Sequence, residues 1–380
     1  MSCAMNLDEV SESATPAIAA VPALGPAFSV DRKAFAAALA RLKGVADAKS
    51  AMPMLASVKL TADDGYVTLR ATDLAVDVSI TLEATVTRPG EVCFPCKSLG
   101  ALVGKGAGTV AIDGARVQSG AASSTLLTMS ADDFPGSVGA RPAKPVAIID
   151  FKRALKRTAF CMSTDDTRPH LAGLLLERNN GAVRTVGTDG HRLALAIVGQ
   201  DSRADFTGIV PSRIVTELAK WKSGPVSVFM TAGYVWFATT TGVVSGRLVD
   251  AAFPSYGQVI PGSFDRSVRV DRAAFLAAVK SAALVSSDRT SGVKFTLAAT
   301  GLRIQSSNPD VGETDATLGA DVTGYDHNSG YAFGLNSRYL VDVLEALEDE
   351  SVTLELSGEL DPVMLHAADG SVYVVMPMRI

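Results

Sequence analysis

The sequence predicts an α+β fold made of three repeated domains, because three landmarks recur along its 380 residues with a period of about 120. The first landmark is an aspartate before an amphipathic helix, at Asp31, Asp150 and Asp271. The second is the end of an alternating strand, at Asp73, Asp189 and Asn308. The third is an apolar residue before a proline, at Phe134-Pro135, Phe253-Pro254 and Met376-Pro377. We therefore predict domains over residues 28–145, 146–265 and 266–380, after a disordered extension of residues 1–27 that is rich in Ala, Pro and Ser.

Each domain has the same predicted order of elements: a strand, an Asp-initiated helix, several alternating strands, a second helix and more strands. The second helices are predicted at Cys96–Lys105, Pro211–Lys222 and Asn336–Leu347. Representative strands are Ser57–Leu60, Tyr66–Ala71, Val226–Met230, Tyr234–Thr239 and Val352–Leu356. Alternation between Gly and Asp turns favours antiparallel sheets with one covered face. Three such units in a row predict a curved array, which closes into a ring if copies associate head to tail.

The composition indicates a protein of two or three domains with ample apolar residues, at 47%. A formal charge of −5 argues against a simple basic nucleic-acid binder, although a basic face balanced by acid elsewhere stays possible. No apolar run is long enough to span a membrane, and residues 1–27 lack the features of a signal peptide. We expect a soluble, cytoplasmic protein.

The cysteines favour ordinary buried thiols over a metal or redox site. Cys93 and Cys96 have CxxC spacing, but no second Cys or His pair accompanies them. We therefore expect neither a metal nor a cofactor.

The C-terminal stretch Val374–Ile380, with two methionines around a proline, has two interpretations. It is either a closing core strand or an adaptable apolar surface that accepts partners. The repeat favours a strand at its base, since Met376-Pro377 takes the place of Phe-Pro in the other domains.

Basic residues recur on the predicted helices, and this recurrence favours one concave basic face over ordinary surface helices. Such a face would contact duplex phosphates without reading sequence. The candidate DNA-facing residues on helices are Lys152, Arg153, Lys156, Arg157, Arg213, Lys220, Arg272, Lys280 and Arg338.

The sequence offers little support for catalysis. Gly100–Lys105 is shorter than a phosphate-binding loop, and Gly106 follows where Ser or Thr is required. Asp189 and His191 could form an acid–base pair, but Asp189-Gly190 between two alternating strands is also typical of a tight turn.

Three motifs together resemble the bacterial DNA polymerase III beta subunit family of sliding clamps: Thr188–Leu193 (TDGHRL), Phe253–Tyr256 (FPSY) and Tyr373–Arg379 (YVVMPMR). The resemblance implies a non-catalytic homodimeric ring of DNA-clamp domains around duplex DNA, with helices inside and antiparallel sheets outside. It also implies that the ring tethers the DNA polymerase III catalytic subunit and other clamp-binding proteins, conferring processivity in DNA replication. A clamp loader would open it.

The resemblance places a partner-peptide pocket between the second and third domains. The second domain would contribute Leu171, Thr188, Gly190, His191, Arg192, Leu193, Pro254 and Val259. The third would contribute Asn336, Tyr339, Leu360, Pro362, Val374, Met376, Pro377, Met378 and Arg379. Val375 is expected to pack inward. Lys49 falls where the family has a DNA-facing arginine.

The ring contact departs from the family pattern. Ala121, Ser123 and Ser124 replace basic and aromatic residues in the first domain. The opposing third-domain segment keeps acidic and apolar residues, namely Asp310, Glu313, Asp315, Leu284 and Val285. Together with the extension, these departures leave open a paralogous clamp with a drug-insensitive or partner-sequestering role.

Overall fold

The computed structural model describes residues 25–46, 50–104, 108–200, 205–221, 224–286, 291–325 and 331–379. The predicted extension lies outside these residues apart from its last three, and so does Lys49. The α-helices of the described residues are α1 (Arg32–Leu42), α2 (Cys96–Val103), α3 (Phe151–Thr158), α4 (Ser212–Ala219), α5 (Arg272–Val285) and α6 (Ser337–Ala346). They pack as the pairs α1–α2, α3–α4 and α5–α6, one pair in each repeat.

The strands also follow the repeat. The first repeat contains β1 (Ala27–Asp31), β2 (Ser57–Asp63), β3 (Tyr66–Thr72), β4 (Val76–Arg88), β5 (Gly90–Pro95), β6 (Thr109–Asp113), β7 (Arg116–Ser119) and β8 (Ala122–Thr125). The second contains β9 (Ala147–Asp150), β10 (Gly173–Asn179), β11 (Ala182–Thr188), β12 (Arg192–Gln200), β13 (Phe206–Pro211), β14 (Pro225–Met230), β15 (Tyr234–Ala238) and β16 (Gly242–Arg247). The third contains β17 (Arg266–Asp271), β18 (Gly292–Ala298), β19 (Gly301–Asn308), β20 (Gly312–Gly319), β21 (Asp321–Thr323), β22 (Ala332–Asn336), β23 (Ser351–Leu356), β24 (Val363–His366) and β25 (Val372–Val375).

These strands form antiparallel sheets that continue from one repeat into the next. In the 12-stranded sheet, β4 of the first repeat pairs with β16 of the second, through Val76–Ile80 and Gly242–Gly246. In the 9-stranded sheet, β12 of the second repeat pairs with β25 of the third. A 4-stranded sheet, β20-β19-β18-β22, completes the third repeat. The predicted α+β class and the antiparallel sheets are confirmed, whereas the domain boundaries at 145 and 265 stay a prediction.

The predicted aspartates start the first helix of each repeat. Asp31, Asp150 and Asp271 each accept a hydrogen bond from the backbone N–H three residues later, at 2.8, 3.2 and 2.7 Å. This contact satisfies one of the free N–H groups that every helix start exposes. The second helices end at Val103, Ala219 and Ala346, earlier than predicted.

Buried thiols and apolar residues fill the core beneath the helices. Burial raises the pKa of Cys93 and Cys96 to about 11, and it also raises that of Cys161, so these thiols are poor nucleophiles. Among the described residues, no group of three or more His, Cys, Asp and Glu side chains could hold a metal ion. None of the described helices is long and apolar enough to cross a membrane.

Candidate functional site

The Thr188–Arg192 turn joins β11 to β12 and is built by its own side chains. Asp189 Oδ1 accepts hydrogen bonds from the N–H groups of His191 and Arg192, at 2.9 and 3.0 Å. The hydroxyl of Thr188 donates to the carbonyl of Arg192 at 2.7 Å. Gly190 adopts a φ of +90°, a conformation that strains any residue with a Cβ.

These contacts confirm the turn interpretation of the Asp189–His191 pair. The other carboxylate oxygen of Asp189 accepts from Arg192 Nε at 3.0 Å, so both oxygens have partners other than the His191 ring. The imidazole of His191 instead lies roughly parallel to the ring of Tyr339, with 6.3 Å between centroids. The turn therefore forms a rigid wall against the third repeat.

Arg192 connects that wall to the third repeat. Its guanidinium donates to the Asp342 carboxylate on α6 and to the Phe160 carbonyl, and it lies 4.5 Å from the centroid of the Tyr339 ring. Burial opposes the positive charge, but the hydrogen bond to Asp342 and nearby carboxylates raise the pKa of Arg192 on balance. With its side chain 11% exposed, Arg192 holds the two repeats together more than it offers charge to a partner.

The C-terminal strand β25 supplies the third-repeat side of the candidate pocket. Leu193 pairs with Val374 and Arg192 with Val375, and the N–H of Met376 donates to the His191 carbonyl at 2.9 Å. The N–H of Met378 then donates to the Gly334 carbonyl at 2.9 Å. Met376 is thus fixed beside the turn and Met378 beside Gly334, and Met376 is 38% exposed.

Val374 requires a correction. The sequence predicts that it receives a partner while Val375 packs inward, yet both side chains are fully buried. Successive strand side chains point to opposite faces, and here both faces are covered. Val375 joins the third-repeat core, while Val374 joins a second cluster with Leu175, Leu193 and Met364. Val374 therefore lies beneath the pocket surface.

The remaining predicted pocket residues divide between floor and rim. Leu171, Thr188 and Leu193 are buried, and Asn336, Tyr339, Pro362, Pro377 and Met378 are half-buried. Gly190, His191, Pro254, Val259, Leu360 and Arg379 are exposed. Pro362 directly precedes the Val363–Val375 pair, whereas Leu360 lies in the turn before β24.

A cavity nearby has a different lining. About 1040 Å³ lies between β10, β13 and residues 247–257, and Pro254 is the predicted pocket residue that lines it. Sequence reasoning also missed Phe160 and Asp342, which hold Arg192. Asp342 lies three residues after Tyr339 on α6, so helical spacing was the available signal.

The predicted DNA-facing cations lie on the helices, but they are not equally free. Lys152 and Arg338 are exposed, and the side chains of Arg153, Lys156, Arg213, Lys220 and Lys280 are 39–55% exposed. Arg213 bonds Asp73 of the first repeat, and Lys220 pairs with Glu217. These side chains lie at the surface with carboxylate neighbours.

Arg157 and Arg272 depart from the prediction. The Arg157 side chain is 4% exposed and bonds third-repeat groups, so it cannot present its guanidinium to a phosphate in this arrangement. Arg272 is half-buried and donates to the carbonyls of Asp349 and Leu344, at 2.7 and 3.2 Å. Helical periodicity identified the basic residues but could not show which of them are bonded to groups within the protein.

Comparison with known proteins matches all three repeats. The N-terminal, central and C-terminal domains of the DNA polymerase III beta subunit match residues 27–138, 146–255 and 257–379. The beta sliding clamp of Pseudomonas putida is 33% identical over 378 residues, covering 93% of this chain and 100% of that protein. That of Escherichia coli K12 is 29% identical over 374 residues, with the same coverage.

Solved structures agree over the same length. The Pseudomonas aeruginosa DNA polymerase sliding clamp with ligand has a TM-score of 0.84 at 30% identity, covering 93% of this chain and 100% of that one. The Pseudomonas aeruginosa sliding clamp bound to griselimycin has a TM-score of 0.85 at 29% identity, covering 94% and 100%. With its three domains matched in order, the chain belongs to the DNA polymerase III beta subunit family.

Proposed function

We propose that this chain is a DNA sliding clamp that encircles duplex DNA and tethers the replicative polymerase and other replication and repair proteins. The observation that carries the proposal is the match of all three domains, in order, over residues 27–379. The relatives named above are beta sliding clamps matched over their whole length. The clamp works without catalysis and without a cofactor, as a cytoplasmic processivity factor.

The ring forms from two copies joined head to tail. The edge strands β8 and β20 support this assembly, because each lies at the edge of its sheet, one in the first repeat and one in the third, where a strand can pair with another chain. Exposed apolar side chains accompany these edges: Leu127 and Leu284 at 81% and Val311 at 62%. Pairing β8 of one copy with β20 of the next satisfies the edges and closes a ring of six domains.

The helix cations provide weak and mobile contacts with DNA phosphates. Retention on DNA is topological, so tight contacts would oppose sliding. The exposed set is Lys152, Arg153, Lys156, Arg213, Lys220, Lys280 and Arg338, with Lys49 added by family resemblance. Arg157 and Arg272 are excluded because their guanidinium groups are occupied within the protein.

Partner proteins bind at the junction of the second and third repeats. The exposed Met376 and Val259, at 38% and 39%, offer apolar contact, while His191 and Arg379 supply polar groups at the rim. An apolar floor with a few fixed polar groups suits a short peptide with apolar anchors. The DNA polymerase III catalytic subunit and the clamp loader are the expected partners.

Retention on circular and linear DNA tests the proposal. After loading, the protein should stay on circular DNA and slide off linear DNA, since only a closed circle traps a ring. A solution mass near twice 39.4 kDa should accompany retention. Equal loss from both DNA forms would contradict the ring.

The specialised paralogue stays a prediction. Support of processive synthesis by this chain as the sole clamp in a reconstituted polymerase reaction would exclude it.

A further inference from the structure

The two junctions between repeats are built on the same plan but are joined differently. In both, a strand of the following repeat extends the sheet of the preceding one: β16 beside β4, and β25 beside β12. In both, the first helix of the preceding repeat begins at a capping aspartate, Asp31 or Asp150. Positions counted from these aspartates can therefore be compared directly.

Three positions on the first helix distinguish the middle repeat. Three, six and seven residues after the capping aspartate, the first repeat has Ala34, Ala37 and Ala38, and the third repeat also has alanine at all three places. The middle repeat has Arg153, Lys156 and Arg157 instead. These cations therefore accompany the second junction, the one where the partner pocket is proposed.

The middle-repeat cations form an ion cluster with the third repeat. Arg157 donates to the Ala346 carbonyl at 2.8 Å and contacts the Asp369 carboxylate at 3.0 Å. Arg153 also bonds Asp369, at 2.9 Å, and Lys156 pairs with Glu348. Arg157 is 4% exposed, whereas Arg153 and Lys156 are 55% and 48% exposed. Arg157 is thus the buried member of the cluster.

The corresponding place at the first junction has a different lining. A cavity of about 450 Å³ is lined there by Ala34, Ala37, Ala38 and Arg41 of α1, with Trp221 and Thr239–Thr241 of the second repeat opposite. The Arg41 guanidinium lies 6.0 Å from the centroid of the Trp221 ring. The cation on α1 thus lies over an aromatic ring, whereas Arg157 on α3 pairs with a carboxylate. The buried arginine is an addition specific to the second junction.

The cluster holds the turn that begins β25. Asp369 accepts from the Ser371 N–H at 2.9 Å, and Val372 then pairs with Leu195. The other end of β25, at Val375 and Met376, is only about 13 Å away along the strand. A shift of the turn against α3 would therefore move the third-repeat wall of the pocket relative to the Thr188–Arg192 turn.

We propose that Arg157 is a positioning residue that fixes β25 against α3 and keeps the two walls of the partner pocket in register. This inference rests on the proposed function, because the pocket is part of it. Arg153 and Lys156 lie on the exposed side of the cluster and do not carry the positioning role.

The test compares R157M with R153M, using griselimycin as the binding probe. Methionine keeps most of the volume and leaves no buried charge unpaired on α3. R157M should bind griselimycin about tenfold more weakly than the unaltered protein, whereas R153M, which loses the same charge and the same partner, should stay within about twofold. D369N should reproduce the loss, and R157M/D369N should lose no more than either single variant.

A distance measurement separates positioning from general destabilisation. Spin labels at T207C and D321C, in a C3S background, report on the two edges of the 9-stranded sheet. One edge lies in the second repeat and the other in the third, so the distance between the labels spans the junction. R157M should broaden the distance distribution, and R153M should leave it unchanged. If R157M does not fold, D369N takes its place, because its amide oxygen still accepts from Ser371.

Griselimycin affinity of R157M within twofold of the unaltered protein overturns the proposal, and so does an equal loss in R153M. If the unaltered protein itself does not bind griselimycin, as a drug-insensitive clamp would not, the affinity comparison does not report on Arg157. The distance distribution then decides: a distribution in R157M as narrow as in the unaltered protein overturns the positioning role, and a broadened one supports it.

Discussion

At the scale of single residues, two arginines with little exposed surface bond across the second junction. Arg192 bonds Asp342 and stacks on Tyr339, while Arg157 bonds Asp369 and Ala346. A guanidinium has several donors in a fixed plane, so one side chain can bond groups from two repeats at once. Both arginines carry contacts that cross from α3 or β12 to the third repeat.

The Arg192–Asp342 pair should contribute measurably to stability. D342N removes a charged hydrogen bond from a guanidinium that is 11% exposed, so we expect the free energy of unfolding to fall by about 1–2 kcal/mol. E345Q is the matched control on the same helix, since Glu345 and its partner Lys280 are each 51% exposed. E345Q should change stability by less than about 0.5 kcal/mol. Urea unfolding measures both free energies, and an equal loss of stability in D342N and E345Q would contradict a special contribution of the Arg192–Asp342 pair.

The acidic members of the Arg157 cluster predict an acid-dependent loss of stability. The hydrogen bond from Lys156, with the charges of Lys156 and Arg157, lowers the pKa of Glu348. Burial would raise the pKa of Asp369, but hydrogen bonds from Ser371 and Arg153 and the charge of Arg157 lower it on balance. Because both folded values lie below the ordinary ones, the stabilisation is present at neutral pH and is lost as the pH falls through the folded values.

The melting temperature as a function of pH measures this loss. Between pH 7 and pH 3, the unaltered protein should lose a few degrees more than D369N/E348Q, which lacks the titrating groups. D166N, which changes an exposed carboxylate outside the cluster, should follow the unaltered protein. Parallel curves for all three proteins would show that the cluster does not stabilise the junction.

The sequence identified residues whose role is local and missed those whose role depends on another repeat. Asp150 and Asp189 were found because a helix cap and a tight turn are encoded within a few residues. Arg157 was assigned to the DNA face because helical periodicity predicts which face of the helix a side chain is on, but not which other part of the chain covers that face. Val374 was misplaced for the same reason, because Leu175 and Leu193, which pack against its side chain, are distant from it in sequence.

At the scale of elements, the same turn occurs in the first two repeats with different residues at its third position. Asp73 caps the first turn by accepting from the N–H groups of Ala75 and Val76, as Asp189 does in the second. The first turn has Leu74 at a φ of +73° where the second has Gly190 at +90°. A leucine in this region is strained, and its side chain is 57% exposed.

Substitutions at these two positions should change the free energy of unfolding in opposite directions. L74N relieves strain with little loss of burial, because asparagine tolerates positive φ, and we expect a gain of about 0.5–1 kcal/mol. G190A introduces strain in the equivalent turn and should cost about 1 kcal/mol, although an added Cβ would meet only ordinary contact with Arg168. Thermal unfolding of both variants measures the effect. A destabilised L74N would mean that the leucine side chain makes contacts that outweigh the strain.

At the scale of the whole molecule, sheets that pass from one repeat to the next join the three repeats into one continuous structure. The repeat period, the helix starts and the antiparallel class followed from the sequence, because each repeat encodes them locally. The pairing of β4 with β16 and of β12 with β25 did not, since strand partners 162–183 residues apart leave no local pattern. Strands β8 and β20 nevertheless lie at the edges of their sheets, in the first and third repeats.

The last prediction concerns Leu284 and the proposed contact between two copies. This leucine near the end of α5 is 81% exposed in the single chain, and the proposed ring buries it against the next copy. L284E would place a charge in that apolar contact, and removing a carboxylate from water without a partner has a large free-energy cost. The solution mass should fall from about twice 39.4 kDa to 39.4 kDa, and retention on circular DNA should fall with it.

L360E is the matched control, because Leu360 is also exposed, at 58%, but lies near the proposed pocket. Its mass should stay that of the dimer, so a dimer in both variants would place the ring contact elsewhere.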